Sequence, residues 1–190
     1  MTSITNGTAS RRKFIGGATL SAAALYLLDG NGRAAAMMTA SSGDVDILNV
    51  ALGLEHEAIN AYQLGAQSNL LSASVLPVAV QFQSHHKAHR DALIAAIRQL
   101  GGTPVAEKSL ATYATELNAS SLHDQTGVLA LAQRLELGAV NAYLGVIPSL
   151  ASKDLGKVCG RLAADETMHW TVLTQALGGT LPANALTFGA

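Results

Sequence analysis

The sequence predicts an all-α protein, an antiparallel four-helix bundle made of two helical hairpins joined by a long crossover, and three observations carry that prediction. Apolar residues make up 49% of the 190-residue chain and aromatic ones only 4%, an Ala- and Leu-rich balance that suits closely packed helices better than a β-sandwich. Four long stretches place their apolar residues at helical spacing. The second pair of stretches repeats the first.

In chain order the first element is a leader, residues 1–36. Ser10-Arg11-Arg12-Lys13-Phe14-Ile15 matches the twin-arginine export pattern, a polar residue, two arginines, a spacer, then Phe and an aliphatic residue. Ile15 to Leu28 is modestly apolar and too short, against the roughly 20 residues a bilayer requires, to serve as a spanning helix. Ala34-Ala35-Ala36 offers a cleavage site. The expected partner of this segment is the twin-arginine export machinery, and the expected location of the mature chain is periplasmic or extracellular, with no membrane span. Cleavage after Ala36 removes Arg11, Arg12, Lys13 and Arg33 from the 12 basic residues and Asp29 from the 13 acidic ones, leaving a net charge of −4. That balance argues against nucleic acid as a partner.

The bundle is expected over residues 44–180. Its first helix runs from Asp44 to about Asn69, after a polar Ser41-Ser42-Gly43 start, with Leu48, Ala51, Leu54, Ala58 and Tyr62 on its apolar stripe. The second begins near Pro77, at home in a first helical turn, and ends at Gly101-Gly102. Thr103 to Leu122 is polar and broken, with a short helical piece near Leu110 to Leu117, and is long enough to cross the bundle. A third helix is expected from Asp124 to Ile147, before Pro148, and a fourth from Lys153 to Leu177, before Gly178-Gly179. Residues 181–190 read as an irregular tail.

Leu54-Glu55-x-x-Ala58-x-Asn60-Ala61-Tyr62 in the first helix matches Leu135-Glu136-x-x-Ala139-x-Asn141-Ala142-Tyr143 in the third at an offset of 81 residues. Leu100-Gly101-Gly102-Thr103 matches Leu177-Gly178-Gly179-Thr180 at an offset of 77. Two hairpins carrying one motif each describe a pseudo-symmetric bundle.

The chemistry-bearing residues lie on these helices. Glu166-x-x-His169 sets a carboxylate and an imidazole on one helical face. Glu55 and Glu136 are isolated carboxylates in apolar stretches, costly to bury without a cation. The single cysteine, Cys159, excludes thiolate zinc clusters and reads as a small buried apolar residue, so a metal would use His and carboxylate. His56 and His123 read as exposed, Asn60 and Asn141 as hydrogen-bonding ties between helices, and Arg90-Asp91 as a solvated ion pair.

One Glu from each of the first and third helices with Glu-x-x-His from the fourth resembles the ferritin-like di-iron carboxylate superfamily, over about Asp44 to Gly179. The resemblance implies Glu55 and Glu136 as terminal ligands, Glu166 as a bridging carboxylate and His169 as a terminal imidazole. It also implies Tyr62 and Tyr143, each seven residues after its Glu, as hydroxyls bonded to ligand carboxylates. The second helix departs from the pattern, offering His85, His86 and His89 and no Glu. Alignment on the Gly-Gly ends places His89 and Ala92 opposite Glu166 and His169; alignment on spacing from the first helix places His86 and His89 there. Either way a histidine stands where a carboxylate is expected, so the site is mononuclear or an altered binuclear one. The donor set suits iron or manganese, with zinc as an alternative.

The function expected is exported metal binding with Fe(II) oxidation or peroxide handling. Two other readings are a non-enzymatic scaffold and a zinc-binding, stress-related envelope protein. The sequence leaves open whether the protein is an enzyme, and a monomer or homodimer is expected, since 181–190 is too short for the further helix of a cage.

Overall fold

The protein is described by a computed structural model over residues 40–189, with side chains from residue 43. The leader therefore lies outside the described residues. Among the described residues five α-helices form: α1 (Ala40–Gln67), α2 (Leu76–Gln99), the short α3 (Leu110–Glu116), α4 (Gln125–Val146) and α5 (Lys153–Ala176). No strand is present among the described residues. α1 pairs with α2 and α4 with α5 as the two main hairpins, and the α1–α4 and α2–α5 contacts close the bundle.

Local chemistry sets the helix boundaries. Asp124 accepts from Gly127 N at 2.7 Å to start α4, and Ser152 accepts from Leu155 N at 3.3 Å to start α5. Pro77 occupies the first turn of α2. At its end Gly101 adopts φ +79° and Gly102 N bonds back to Ile97 O at 2.9 Å, a left-handed stop that favours glycine. The start of α1 differs from expectation. Its polar residues do not break the helix, which already runs at Ala40, and Asp44 instead accepts from Ala151 N and Ser152 N at 2.8 and 3.2 Å. The carboxylate thereby ties the α4–α5 turn to α1.

Two apolar clusters fill the bundle. One gathers Leu48, Leu52, Leu93, Ile97, Tyr143 and Cys159; the other gathers Tyr62, Ala79, Phe82, Leu129, Ala132 and Leu173. Truncating such a residue to Ala costs about 2–5 kcal/mol for a buried Leu or Ile. A layer of charged side chains separates the two clusters.

The crossover, residues 101–124, returns the chain along the outside of α1. Asn49 grips it twice, donating to Thr103 O at 3.0 Å and accepting from Val105 N at 2.7 Å. Asn60 donates to Glu107 Oε1 at 2.6 Å, and His56 Nε2 lies 3.3 Å from Val105 O. His56 is thus buried, at 4% exposure, and not at the surface as its sequence position implies, because the returning chain covers it. Asn60 and Asn141 bind the crossover and the tail, not helix to helix: Gly189 N donates to Asn141 Oδ1 at 2.8 Å. The tail has no regular element but is anchored, with Phe188 edge-on to Trp170 at 5.1 Å. Among the described residues no helix is long and apolar enough to cross a membrane.

Candidate metal centre

The layer between the clusters contains Glu55, His86, His89, Glu136, Glu166 and His169, all buried. They form two groups of four, Glu55/His86/His89/Glu166 and His86/Glu136/Glu166/His169, and within each group the donor atoms lie within 4.8 Å of one another. Each group offers two nitrogens and two carboxylates, and the groups share His86 and Glu166.

His86 Nδ1 lies 2.8 Å from Glu55 Oε2, and its Nε2 lies 3.2 Å from Glu136 Oε1. His89 Nδ1 meets Glu166 Oε1 at 3.1 Å, while His169 Nδ1 meets Glu166 Oε2 at 3.0 Å. The tyrosines cross over: Tyr62 on α1 donates to Glu136 on α4, and Tyr143 on α4 donates to Glu55 on α1. Each phenol belongs to an apolar cluster through its ring and reaches the charged layer through its hydroxyl. Glu136 Oε2 is buried without a hydrogen-bond partner, its nearest cation His169 Nδ1 at 3.5 Å.

Two residues that the sequence reading did not place at the site hold the outer nitrogens of the histidines. Asp165 Oδ2 lies 3.1 Å from His89 Nε2, and His85 Nδ1 lies 2.9 Å from His169 Nε2. Their signal was present: Asp165 precedes Glu166 as His85 precedes His86. Phe82 stacks on His169 at 4.1 Å and closes that side with an apolar ring.

The α2 register follows His86 and His89. Ala92 is exposed, whereas His86 and His89 face the same layer as Glu166 and His169. α2 and α5 end at an offset of 77 residues, but their inner faces match at an offset of 80, with Phe82 paired to Leu162 and Leu93 to Leu173. α2 is displaced along its axis by three residues, about 4.5 Å.

Burial opposes every charge in this layer, and mutual contact overrides it for most. Glu55 is desolvated, yet hydrogen bonds and charge from His86 and His89 hold it down at about 2. Glu136 is likewise desolvated and held well below the carboxylate range, chiefly by the His86 charge. For Glu166 burial wins and raises the carboxyl. His86 and His169 are raised against burial by the surrounding carboxylates, and His89 reaches about 10 through Glu166 and Glu55. His85 moves down, through desolvation and the His169 charge. Tyr62 and Tyr143 are pushed well up by burial and carboxylate charge, so both remain donors. Without a metal, three carboxylates face three imidazoles. A cation can displace the imidazole protons and take the open Glu136 oxygen, so the donors fit a metal.

The remaining candidates lie apart. Cys159 is fully buried among apolar side chains, where burial pushes its thiol up to about 11. Arg90 and Asp91 pair at 2.8 Å near the surface, and His123 is exposed.

Four long helices enclosing a buried carboxylate and imidazole layer define a helical-bundle scaffold able to hold metal. Residues 43–179 match the ferritin-like domain family, and the chain belongs to that family. A crystal structure of a conserved hypothetical protein from Mycobacterium tuberculosis superposes with a TM-score of 0.61 at 21% identity, covering 78% of this chain and 99% of that one. That likeness concerns the fold. No curated protein matches the chain.

Proposed function

We propose that the chain is an exported ferritin-like metal protein that holds iron or manganese and acts on dioxygen, peroxide or Fe(II). The observation that carries this reading is the pair of overlapping four-donor groups, with Glu136 Oε2 left open among them. When bound, iron or manganese would supply one-electron chemistry toward oxygen species. The protein's own contribution is positioning. Tyr62 and Tyr143 fix the carboxylates of Glu136 and Glu55, and Asp165 and His85 fix the rings of His89 and His169. Phe82 and Tyr62 shield the layer from water at one end.

Elemental analysis of the mature protein, purified from its native envelope without added metal, tests the reading. Near-stoichiometric iron or manganese is expected, and Glu166→Ala or His169→Ala should abolish most of it; equal metal in those variants and in His123→Ala would refute the assignment. Zinc alone would favour a second reading, a redox-silent or buffering site, which draws on the three imidazoles of the layer. A protein that contains no metal yet melts cooperatively would favour a scaffold held by its own His–Glu pairs. The export part of the proposal rests on Arg11 and Arg12. Replacing both with Lys should leave uncleaved precursor in the cytoplasm, and normal export of that variant would remove the route from the proposal. Sedimentation of the purified protein distinguishes monomer from homodimer.

A further inference from the structure

His86 and Glu166 share a geometric property that the other four residues of the layer lack. Each directs one donor atom into one group and its second donor into the other. Glu166 does so through its two oxygens, Oε1 toward His89 and Oε2 toward His169. His86 does so through the two nitrogens of one rigid ring, Nδ1 toward Glu55 and Nε2 toward Glu136, on opposite sides of the imidazole. The outer nitrogens of His89 and His169 face Asp165 and His85 instead, so those rings have one nitrogen each for a metal.

We infer that the centre takes two divalent cations, bridged by the His86 ring on one side and the Glu166 carboxylate on the other. One ion lies among Glu55, His89, His86 Nδ1 and Glu166 Oε1, and the second among Glu136, His169, His86 Nε2 and Glu166 Oε2. This rests on the metal-binding reading above, in which the family resemblance already implies Glu166 as a bridge between two ions; what it adds is the His86 ring as the second bridge and the spacing that ring sets. A ring bound on both sides carries no N–H, so its protons pass to solvent as the ions enter. A five-membered ring also separates its ions more than an oxygen does. The spacing should be about 6 Å, two metal–nitrogen bonds of about 2.0–2.1 Å plus the ring. Oxygen-bridged pairs lie about 3.5–4 Å apart. The ions would be held as neighbours without sharing a single-atom bridge.

The test is a crystal structure of the full mature chain loaded with Co(II), with cobalt located by anomalous scattering and counted by elemental analysis. Two ions per chain about 6 Å apart, each bonded to a different nitrogen of His86, are expected. His86→Glu should keep two ions but draw them together by more than about 1 Å. Two ions at about 3.5–4 Å in the wild type would overturn the ring bridge, as would an unchanged spacing in His86→Glu. A single ion would overturn the two-ion centre while leaving metal binding intact. No cobalt at all would defeat the metal-binding reading itself. The wild-type measurement stands even if the variant fails to fold.

Discussion

Tyr143 on α4 donates its hydroxyl proton to Glu55 on α1, 88 residues earlier in the chain. The bond joins the two hairpins through the charged layer, and Tyr62 to Glu136 makes its counterpart. Tyr143→Phe should cost about 1–3 kcal/mol, because Glu55 Oε1 loses its donor in a buried place. Metal affinity should fall about 10–100-fold as Glu55 loses its orientation. Thermal melts and competition against a chelating dye measure the two effects, and Tyr62→Phe should give the same pattern.

The metal-free protein should have a bounded pH range of stability. Glu55, held at about 2 against an ordinary 4.5, stabilises the fold above pH 4.5 and loses that contribution as pH falls toward 2. His89, raised to about 10 from 6.5, stabilises the fold below pH 6.5 and loses its contribution as pH rises toward 10. These two groups place maximum stability between pH 4.5 and 6.5, with Tm falling on either side, in melts run with EDTA.

Metal removal should leave the bundle helical but less stable. An ion present at 100 to 1,000 times its Kd stabilises by about 2.7–4.1 kcal/mol, or a Tm difference of about 5–15 °C for a domain of this size. Circular dichroism before and after chelation reads both the helix content and the shift. Metal retention should also fall in acid, since the imidazoles must be deprotonated to bind.

Asp165→Ala removes the carboxylate facing His89 Nε2. Its side chain is 42% exposed, so Tm should change little while metal affinity drops about 10–100-fold. Calorimetric titration with Mn(II) distinguishes this from general destabilisation, in which both quantities would fall together.

Asn49→Ala should loosen the crossover, which loses two hydrogen bonds, at a cost of about 1–3 kcal/mol. Amide exchange should rise at residues 103–107 before it rises in α2 or α5.

Much of this structure is legible in the sequence because local rules carry it. Helical periodicity located the four long helices, Gly-Gly and Pro marked their ends, and the i, i+3 spacing of Glu166 and His169 set both on one face. The repeat linked Glu55 with Glu136 and Tyr62 with Tyr143. It could not say that each tyrosine serves the carboxylate of the opposite hairpin, which only the docking of α1 against α4 determines. The α2 register was ambiguous for a related reason. A glycine stop records where a helix ends, whereas the inner face depends on how far the helix slides against its neighbour. The burial of His56 is not legible locally because no residue near it in sequence covers it; Val105 does, 49 positions later.

The crossover makes the two repeats unequal toward solvent while leaving them alike inside. His56 and Leu137 are equivalent positions, yet one is 4% exposed and the other 36%. Mutational tolerance should therefore diverge between two copies of one motif. A saturation library would find the outward side of α1 intolerant and that of α4 permissive, so sequence drift after repetition can erase the visible likeness from the outside inward while the Glu and Tyr positions preserve it.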